Sequence, residues 1–328
     1  MNTWKKIAAT ALAGMMCMAA LAGCGGGSGS SDKAGGDAIK IGFVNEANTD
    51  VFDMKRMEAL QAAVDASGGK YTMECTDANL DIQKQIDQSK TFIAKKVDVL
   101  MVVPCDSEGI VPAINEANSA GVPTICFGIK AASGEFTYVG SESYDAGYMQ
   151  GELMAEKLPE NATVMYLLGT QGLIHTTERE RGFEAALKDK GRDDVVIAEK
   201  LEAKYVKDEA MRITQTWVQS YGDGKGGVKF DAIVAQNDQM ALGAVEALKT
   251  AGILKGNNEI IITGIDGTPE GVQAVQDGYM LQTVLQDAPG QAEAGLKVVD
   301  KLVAGEKAED EIVPFQNITA ENAADFAE

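Results

Sequence analysis

Short β-rich runs alternate with amphipathic helical stretches from residue 38 onward, and this alternation constrains the fold more than any other feature. The helical stretches carry apolar residues three and four positions apart, as at Met57, Leu60 and Val64. Such alternation predicts an α/β protein with parallel sheets covered by helices on both faces. One large sheet would satisfy the pattern, but two doubly wound lobes suit a chain of 328 residues better. The predicted strands span residues 39–44, 71–75, 97–103, 123–127, 162–168, 195–201, 230–235, 259–264 and 281–285.

Composition and charge limit the partners of this chain. Charged residues make up 24% and hydrophobic residues 45% of the sequence, which is typical of a folded globular protein. The formal net charge is −20, and so acidic a protein is repelled by nucleic-acid backbones and by anionic membrane surfaces. We therefore expect no nucleic-acid partner.

The first residues have the features of an export signal. Two lysines precede an apolar run, residues 7–22, that is too short to span a bilayer comfortably. The run ends in LAGC, which is similar to a bacterial lipobox and predicts lipidation of Cys24 after removal of a signal peptide at residues 1–23. Residues 24–37 then form a flexible Gly/Ser linker. A plain signal peptide with an incidental cysteine is the alternative interpretation.

Polar and aromatic side chains follow several of the predicted strands. In an open parallel sheet, ligands bind just beyond the carboxyl ends of the strands, so these side chains are the candidates for a binding site. Flat aromatic faces suit the C–H faces of a sugar ring, while amides and carboxylates suit its hydroxyl groups. The candidate side chains are Asp50, Phe52, His175, Arg179, Tyr205, Asn237, Asp266 and Gln286.

Three of these candidates also have a simpler interpretation. Phe52 and Tyr205 would serve equally as core aromatics, although both lie beside polar candidates. His175 is the single histidine and falls on a predicted loop, where a lone histidine is more often a bystander than a ligand contact.

The predicted start of one helix determines where Arg179 lies in that helix. Thr177 and Glu180 form a capping box, which predicts a helix from near Glu178 and places Arg179 in its first turn. The helix dipole disfavours a cation there, so an acidic neighbour or an oxygen-rich ligand is expected to hold Arg179.

Two further helix starts each leave a spare polar side chain. Asp238 is predicted to cap a helix that begins at Gln239, which leaves the Asn237 amide to face a cleft. Thr268 is predicted to cap the next such helix, with a proline at the first helical position. Asp266 is then not needed as a cap and is a good acceptor for paired hydroxyl groups.

The sequence offers little for enzyme chemistry or metal binding. It has one histidine, no GxxxxGK[ST] loop and no GxSxG elbow. The segment DANLDIQKQIDQ begins like a calcium loop but lacks the required Gly and the final Glu. Cys75, Cys105 and Cys126 include no CxxC pair, so they predict neither a metal site nor a disulfide framework and are expected to be small core residues. We expect no metal and no cofactor.

The segments AQNDQMALGAVEAL, GIDGTPEG and TVLQDAPGQA resemble the ribose- and galactose-type sugar-binding proteins of ABC transporters. The resemblance covers essentially everything from residue 38 onward and includes YVGSES and RERGFEAAL. It implies the type I periplasmic binding fold, in which two α/β lobes clamp a ligand and are joined by three crossings, here near Ser141, Gln286 and Pro314. It also implies a first lobe of residues 38–141 plus 287–313 and a second lobe of residues 142–286 plus 314–328.

The resemblance assigns ligand contacts to all eight candidate side chains, with Arg179 as the binding arginine and Gln286 as the amide at the hinge. Two departures from the family pattern concern the first lobe. Val103 follows the third strand where the family often has Asn, and Gly128 and Ile129 replace a polar pair after the fourth strand. We therefore expect fewer polar contacts from the first lobe, which leaves the identity of the ligand open.

The sequence thus predicts a lipid-anchored solute-binding protein, not an enzyme, at the outer face of the cytoplasmic membrane. It is expected to be a monomer that captures a monosaccharide or similar polyol and delivers it to the permease subunits of an ABC transporter. Two alternatives stay open: a ligand-binding sensor for chemotaxis or signalling, and an exported carbohydrate-active enzyme.

Overall fold

The computed structural model describes residues 37–48, 51–257 and 259–327. In this part of the chain, twelve β-strands and nine α-helices alternate, and a short 3₁₀ helix, Ala323–Phe326, follows the last strand. The strands are β1 Ile39–Asn45, β2 Tyr71–Asp77, β3 Val99–Val102, β4 Thr124–Phe127, β5 Thr137–Gly140, β6 Thr163–Leu168, β7 Val196–Glu202, β8 Ala232–Ala235, β9 Ile261–Asp266, β10 Gln282–Leu285, β11 Glu311–Ile312 and β12 Gln316–Thr319. The helices are α1 Val51–Asp65, α2 Ile82–Ala94, α3 Val111–Ser119, α4 Ser143–Lys157, α5 Ile174–Asp189, α6 Lys207–Ser220, α7 Asp238–Thr250, α8 Pro269–Gln276 and α9 Ala288–Val303.

The strands form two six-stranded sheets, one in each lobe. The first sheet has the order β11-β5-β4-β3-β1-β2, and the second has the order β12-β10-β9-β8-β6-β7. Neighbouring strands run parallel except β12, which pairs antiparallel with β10 among the strands described. The chain passes from one sheet to the other three times: after β5, after β10, and between β11 and β12. The predicted α/β fold with two parallel-sheet lobes and a three-crossing hinge is confirmed.

All nine predicted strands are present, and their ends shift by no more than two residues. The sequence pattern does not predict β5, β11 and β12. β11 has two residues, and β12 is a largely polar edge strand, QNIT, so neither carries the apolar run that identifies a buried strand. β5 is buried, but its sequence, TYVG, has only two apolar residues and so lacks the continuous apolar run that identifies a buried strand.

The central strands of both sheets are buried on both faces, which explains their continuous apolar sequences. β3 (VLMV) and β8 (AIVA) are buried at every position. Trp217, on α6, is 1% exposed in the core of the second lobe, and its indole N–H donates to a carboxylate oxygen of Glu199 at 2.7 Å. Trp217 is therefore a packing residue of this core.

Helices α4 and α5 pack closely because glycines lie at their contact. A Cβ at Gly147 would overlap with the backbone carbonyl of Arg179, and a Cβ at Gly182 would overlap with that of Tyr144. Residues with a side chain do not permit so close an approach of two backbones. The position of α5, which carries His175 and Arg179, is thus fixed by its contact with α4.

The three cysteines of the folded part differ in their surroundings. Cys126 is buried in β4 as predicted, Cys105 is half-buried, and Cys75 is exposed. The predicted core position of Cys75 is therefore wrong. β2 is the edge strand of its sheet, so several of its side chains face solvent in spite of the apolar character of the segment.

Some sequence predictions concern residues that the structure does not describe. The signal peptide at 1–23, Cys24, nearly all of the linker and Asp50 lie outside the described residues. Within the described ranges, no helix combines the length and the apolar character needed to cross a bilayer.

Candidate functional site

A cavity of about 370 Å³ lies between the two lobes, beside the carboxyl ends of strands from both sheets. Of the eight candidate side chains, Asp50 lies outside the described residues, and the other seven line this cavity: Phe52, His175, Arg179, Tyr205, Asn237, Asp266 and Gln286. The structure thus brings together side chains that are far apart in the sequence. Further lining residues include Glu46, Asp53, Arg56, Gly128, Ile129 and Leu173.

The helix that carries Arg179 begins one turn earlier than predicted. α5 starts at Ile174, after an extended Leu173, and no side chain caps it. Thr177 is exposed and already helical, so the predicted capping box is wrong. Thr176 donates from Oγ1 to the backbone carbonyl of Thr170 at 2.8 Å, and this bond ties the preceding loop to the first turn.

Arg179 therefore reaches the cavity from the second turn of α5, where the helix dipole does not oppose its charge. Its side chain is largely buried, and Nη1 donates to the backbone carbonyl of Gln236. Nε has no hydrogen-bond partner among the described residues. The guanidinium is thus held on one side by the protein and retains an N–H group for a ligand. Arg181, by contrast, is exposed and pairs with Glu178.

His175 lies in the first turn of α5, not on a loop, and stacks on Tyr205. Their ring centroids are 5.2 Å apart and their planes are inclined by 22°. The Tyr205 hydroxyl is 2.7 Å from Thr176 Oγ1, which fixes the ring. Burial, followed by the charges of Arg179 and Arg56, lowers the pKa of His175 well below 6.5, so the imidazole is neutral. A neutral imidazole offers one donor and one acceptor to a ligand.

Asn237 and Asp238 have the opposite roles to those predicted. α7 begins at Asp238, and Asn237 Oδ1 accepts a hydrogen bond from the Met240 N–H at 2.9 Å, so Asn237 is the N-cap. Asp238 is fully buried and accepts hydrogen bonds from the N–H and the hydroxyl of Thr268, at 2.8 and 3.0 Å, and from the hydroxyl of Thr283, at 2.6 Å. These donors come from distant segments, which explains why local helix signals mislead here. Asn237 nevertheless lines the cavity.

Asp266 and Gln286 meet where the neighbouring strands β9 and β10 end. Gln286 Nε2 donates to Asp266 Oδ1 at 2.8 Å, and both side chains are buried. The predicted N-cap Thr268 is confirmed, because its hydroxyl accepts a hydrogen bond from the Gly271 N–H at 3.1 Å. Asp266 has a φ of 130°, which a residue with a side chain rarely adopts and which is typical of functional sites.

The first lobe contributes polar side chains that the sequence analysis missed. Glu46, after β1, and Asp53 and Arg56, on α1, line the cavity and are at most 7% exposed. This lobe is therefore not poor in polar groups, contrary to the prediction. The overlooked signal was a helical stripe, in which Asp53 and Arg56 share one face with the buried Leu60 and Val64.

Among the described residues that line the cavity, acidic and basic side chains are equal in number. No group of His, Cys, Asp and Glu that would hold a metal ion occurs in the part of the chain that the structure describes. A lining with balanced charge and many donors and acceptors suits an uncharged polar molecule. The four carboxylates are Glu46, Asp53, Asp208 and Asp266, and the four cations are Arg56, Arg179, Lys204 and Lys207.

Two α/β lobes, three crossings and a polar cavity between the lobes define a two-lobed receptor that encloses a small molecule. Residues 41–307 match the family model described as a periplasmic binding protein domain. The chain belongs to the periplasmic binding protein family, so the predicted resemblance is confirmed.

Relatives within this family resemble the chain over most of its length. A xylitol-binding protein of Mycolicibacterium smegmatis is 31% identical over 326 residues, which cover 98% of this chain and 88% of the relative. The ribose import binding protein of Haemophilus influenzae is 32% identical over 243 residues, which cover 74% of this chain and 78% of the relative. An ABC transporter solute-binding protein from Bacillus halodurans C-125, with bound myo-inositol, is 30% identical with a TM-score of 0.79, and the match covers 89% of this chain and 99% of that one.

Proposed function

We propose that this protein is the extracytoplasmic binding component of an ABC importer and captures a monosaccharide or similar polyol between its two lobes. The observation that carries the proposal is the cavity of about 370 Å³, which seven independently predicted side chains line. Its volume is near the lower end of the range of roughly 300–1,000 Å³ for small-molecule sites, which favours a single sugar unit over an oligosaccharide.

The chemistry of the lining supports an uncharged, hydroxylated ligand. Each hydroxyl group both donates and accepts, and the cavity offers donors from arginine and asparagine and acceptors from carboxylates. Among the described lining residues, the equal number of acidic and basic side chains gives no preference for an ionic solute. Xylitol, ribose and myo-inositol, which the names of the relatives specify, are all uncharged polyhydroxy compounds.

Ligand capture is proposed to close the lobes about the three crossings. The first lobe would comprise residues 38–141 plus 287–313, and the second residues 142–286 plus 314–328. A hydrogen bond of 3.2 Å from the Ile174 N–H to Ser107 Oγ already joins the two lobes beside the cavity. A ligand that contacts both lobes would stabilise this closed arrangement, because it makes its full set of contacts only there.

Delivery is proposed to occur at the outer face of the cytoplasmic membrane, where the protein would be tethered by lipidated Cys24 and would meet the permease as a monomer. The role is binding without chemical change of the ligand, and it requires no cofactor. Membrane association of the wild-type protein and loss of that association in a Cys24→Ala variant would support the tether. A Cys24→Ala variant that stays with the membrane fraction would contradict it.

Calorimetry against a panel of pentoses, hexoses, pentitols and inositols tests the ligand class. We expect binding in the range of about 1 μM or tighter for at least one member. Asp266→Ala and Arg179→Ala should each weaken binding of that ligand by roughly tenfold or more, because each removes a charge-assisted hydrogen bond. Arg181→Ala, which changes an exposed arginine on the same helix, is the matched control. Absence of binding across the panel would refute the proposed ligand class, and unchanged affinity in both site variants would refute the proposed site.

A further inference from the structure

We propose that Asp53 and Arg56 form a polar ligand contact of the first lobe and determine which polyol the protein selects. The inference rests on the proposed function and concerns two residues that sequence reasoning did not single out. Both side chains line the cavity, from the first two turns of α1, and they form an ion pair.

This ion pair is an unexpected feature of the helix that carries it. Asp53 and Arg56 occupy the buried face of α1 together with Leu60 and Val64, and they are 6% and 3% exposed. A buried ion pair is generally no more stabilising than apolar side chains of the same volume, because both charges lose their hydration. Fold stability therefore does not explain two charges at these positions, whereas a polar ligand in the adjoining cavity does.

The backbone opposite Arg56 leaves room for its side chain. Gly128 follows β4 with a φ of +79°, and a Cβ at this position would overlap with Nη1 of Arg56. The guanidinium carbon also lies 5.4 Å from the centroid of the Phe52 ring and 5.8 Å from that of Phe127. Glycine at 128 and an arginine at 56 thus fit each other, and the two rings restrict the guanidinium to one region of the cavity wall.

The position of Arg56 brings it towards the contacts of the second lobe. Arg179 and Arg56 belong to different lobes, and the charges of both lower the pKa of His175. Burial of the imidazole is the larger cause of that shift. Nε of Arg56 is buried and has no hydrogen-bond partner among the described residues. A planar guanidinium presents neighbouring N–H groups in a fixed geometry, which suits two adjacent hydroxyl oxygens, and the paired carboxylate accepts hydroxyl protons. The ligand feature that this pair recognises is therefore a vicinal diol held against the first lobe.

A paired variant tests the inference without leaving a buried charge alone. Asp53→Asn combined with Arg56→Gln removes both charges and keeps groups that hydrogen-bond to each other. Calorimetry would compare the variant with wild type across the polyol panel, and thermal unfolding would report on the fold. Glu209→Gln with Arg212→Gln is the matched control, because these residues form an exposed ion pair with the same spacing on α6.

We expect the paired variant to weaken binding of the best ligand by roughly tenfold or more and to change the order of preference among the panel members, with little loss of thermal stability. The control pair should leave both affinity and order unchanged. If wild type binds no polyol, the proposed function fails and this inference falls with it. If wild type binds and the paired variant keeps its affinity and order of preference, this inference alone is wrong.

A second test uses the steric relation between Gly128 and Arg56. Gly128→Ala should weaken binding in the wild-type background because the new methyl group displaces the guanidinium. In an Arg56→Ala background the same change should have a much smaller effect on affinity, since the overlap with the guanidinium is gone and only the strain of an alanine at a positive φ remains. Additive losses in the double variant would show that the two residues act separately and would overturn the inference.

Discussion

The buried carboxylate of Asp238 leads to a prediction about the pH dependence of stability. Asp238 is 0% exposed, and its contacts are the N–H and hydroxyl of Thr268 and the hydroxyl of Thr283. Burial raises the pKa of Asp238 from 3.8 to about 6, although these hydrogen bonds oppose the rise. The folded protein therefore binds this proton more tightly than the unfolded chain does.

The sign and size of the effect follow from that difference. A group whose pKa is higher in the folded state stabilises the fold fully below its unfolded pKa, and this contribution is lost as the pH rises through the folded pKa. For Asp238 the loss falls between about pH 4 and pH 6, and a pKa of about 6 against 3.8 corresponds to about 3 kcal/mol. At roughly 2–4 °C per kcal/mol, the melting temperature should change by about 6–12 °C from this group alone.

Differential scanning calorimetry of wild type and Asp238→Asn between about pH 4 and pH 7 measures this contribution. Because the variant cannot titrate at this position, the melting temperature of wild type minus that of the variant should be largest at the acidic end and should fall steadily through the window. Asp277→Asn, which changes an exposed carboxylate at the end of α8, is the control for loss of one charge. A difference between wild type and Asp238→Asn that stays constant with pH, or that grows as the pH rises, would refute the reasoning.

Three further predictions concern the site and its supports. Thr268→Ala should reduce the free energy of unfolding by about 1–2 kcal/mol, measured by urea unfolding, because it removes the N-cap of α8 and a donor to Asp238. Since the pKa of His175 is lowered well below 6.5, ligand affinity measured by calorimetry should vary by less than about twofold between pH 6 and pH 8, and a transition centred near 6.5 would contradict a neutral imidazole. Gly147→Ala should lower both the melting temperature and the ligand affinity, at a cost of about 1–3 kcal/mol in stability, because the new methyl group pushes α5 and Arg179 away from α4.

The sequence predicts the sheets well because their central strands are buried on both faces. Continuous apolar runs such as those of β3 and β8 follow directly from that burial, and nine of the twelve described strands are found in this way. Two of the three strands that escape prediction, β11 and β12, lie at sheet edges, where the surrounding solvent removes the demand for apolar residues, and the third, β5, lies inside its sheet but has only two apolar residues. The same reason explains why Cys75, on the edge strand β2, is exposed.

Strand ends predict the lining of the cavity well, because sheet topology brings the ends of parallel strands to one edge whatever their side chains are. Helix starts are a weaker guide, since a local rule cannot decide between two adjacent polar residues. Asn237 caps α7 and Asp238 does not, because Thr268 and Thr283 supply the donors that a buried carboxylate needs.

The first lobe shows the limit of sequence reasoning most clearly. From the sequence alone, a charged residue on the apolar face of a helix is taken for a side chain that extends to solvent. The decisive fact about Arg56 lies in another element, where Gly128 leaves the space that the guanidinium occupies. In the sequence, Gly128 indicated that a polar contact after the fourth strand was missing. Arg56 gave no indication of a ligand contact. Only their contact in the fold shows that the polar groups on this side of the cavity come from helix α1 and not from the end of β4. Both lobes therefore offer hydrogen-bonding groups to the same cavity.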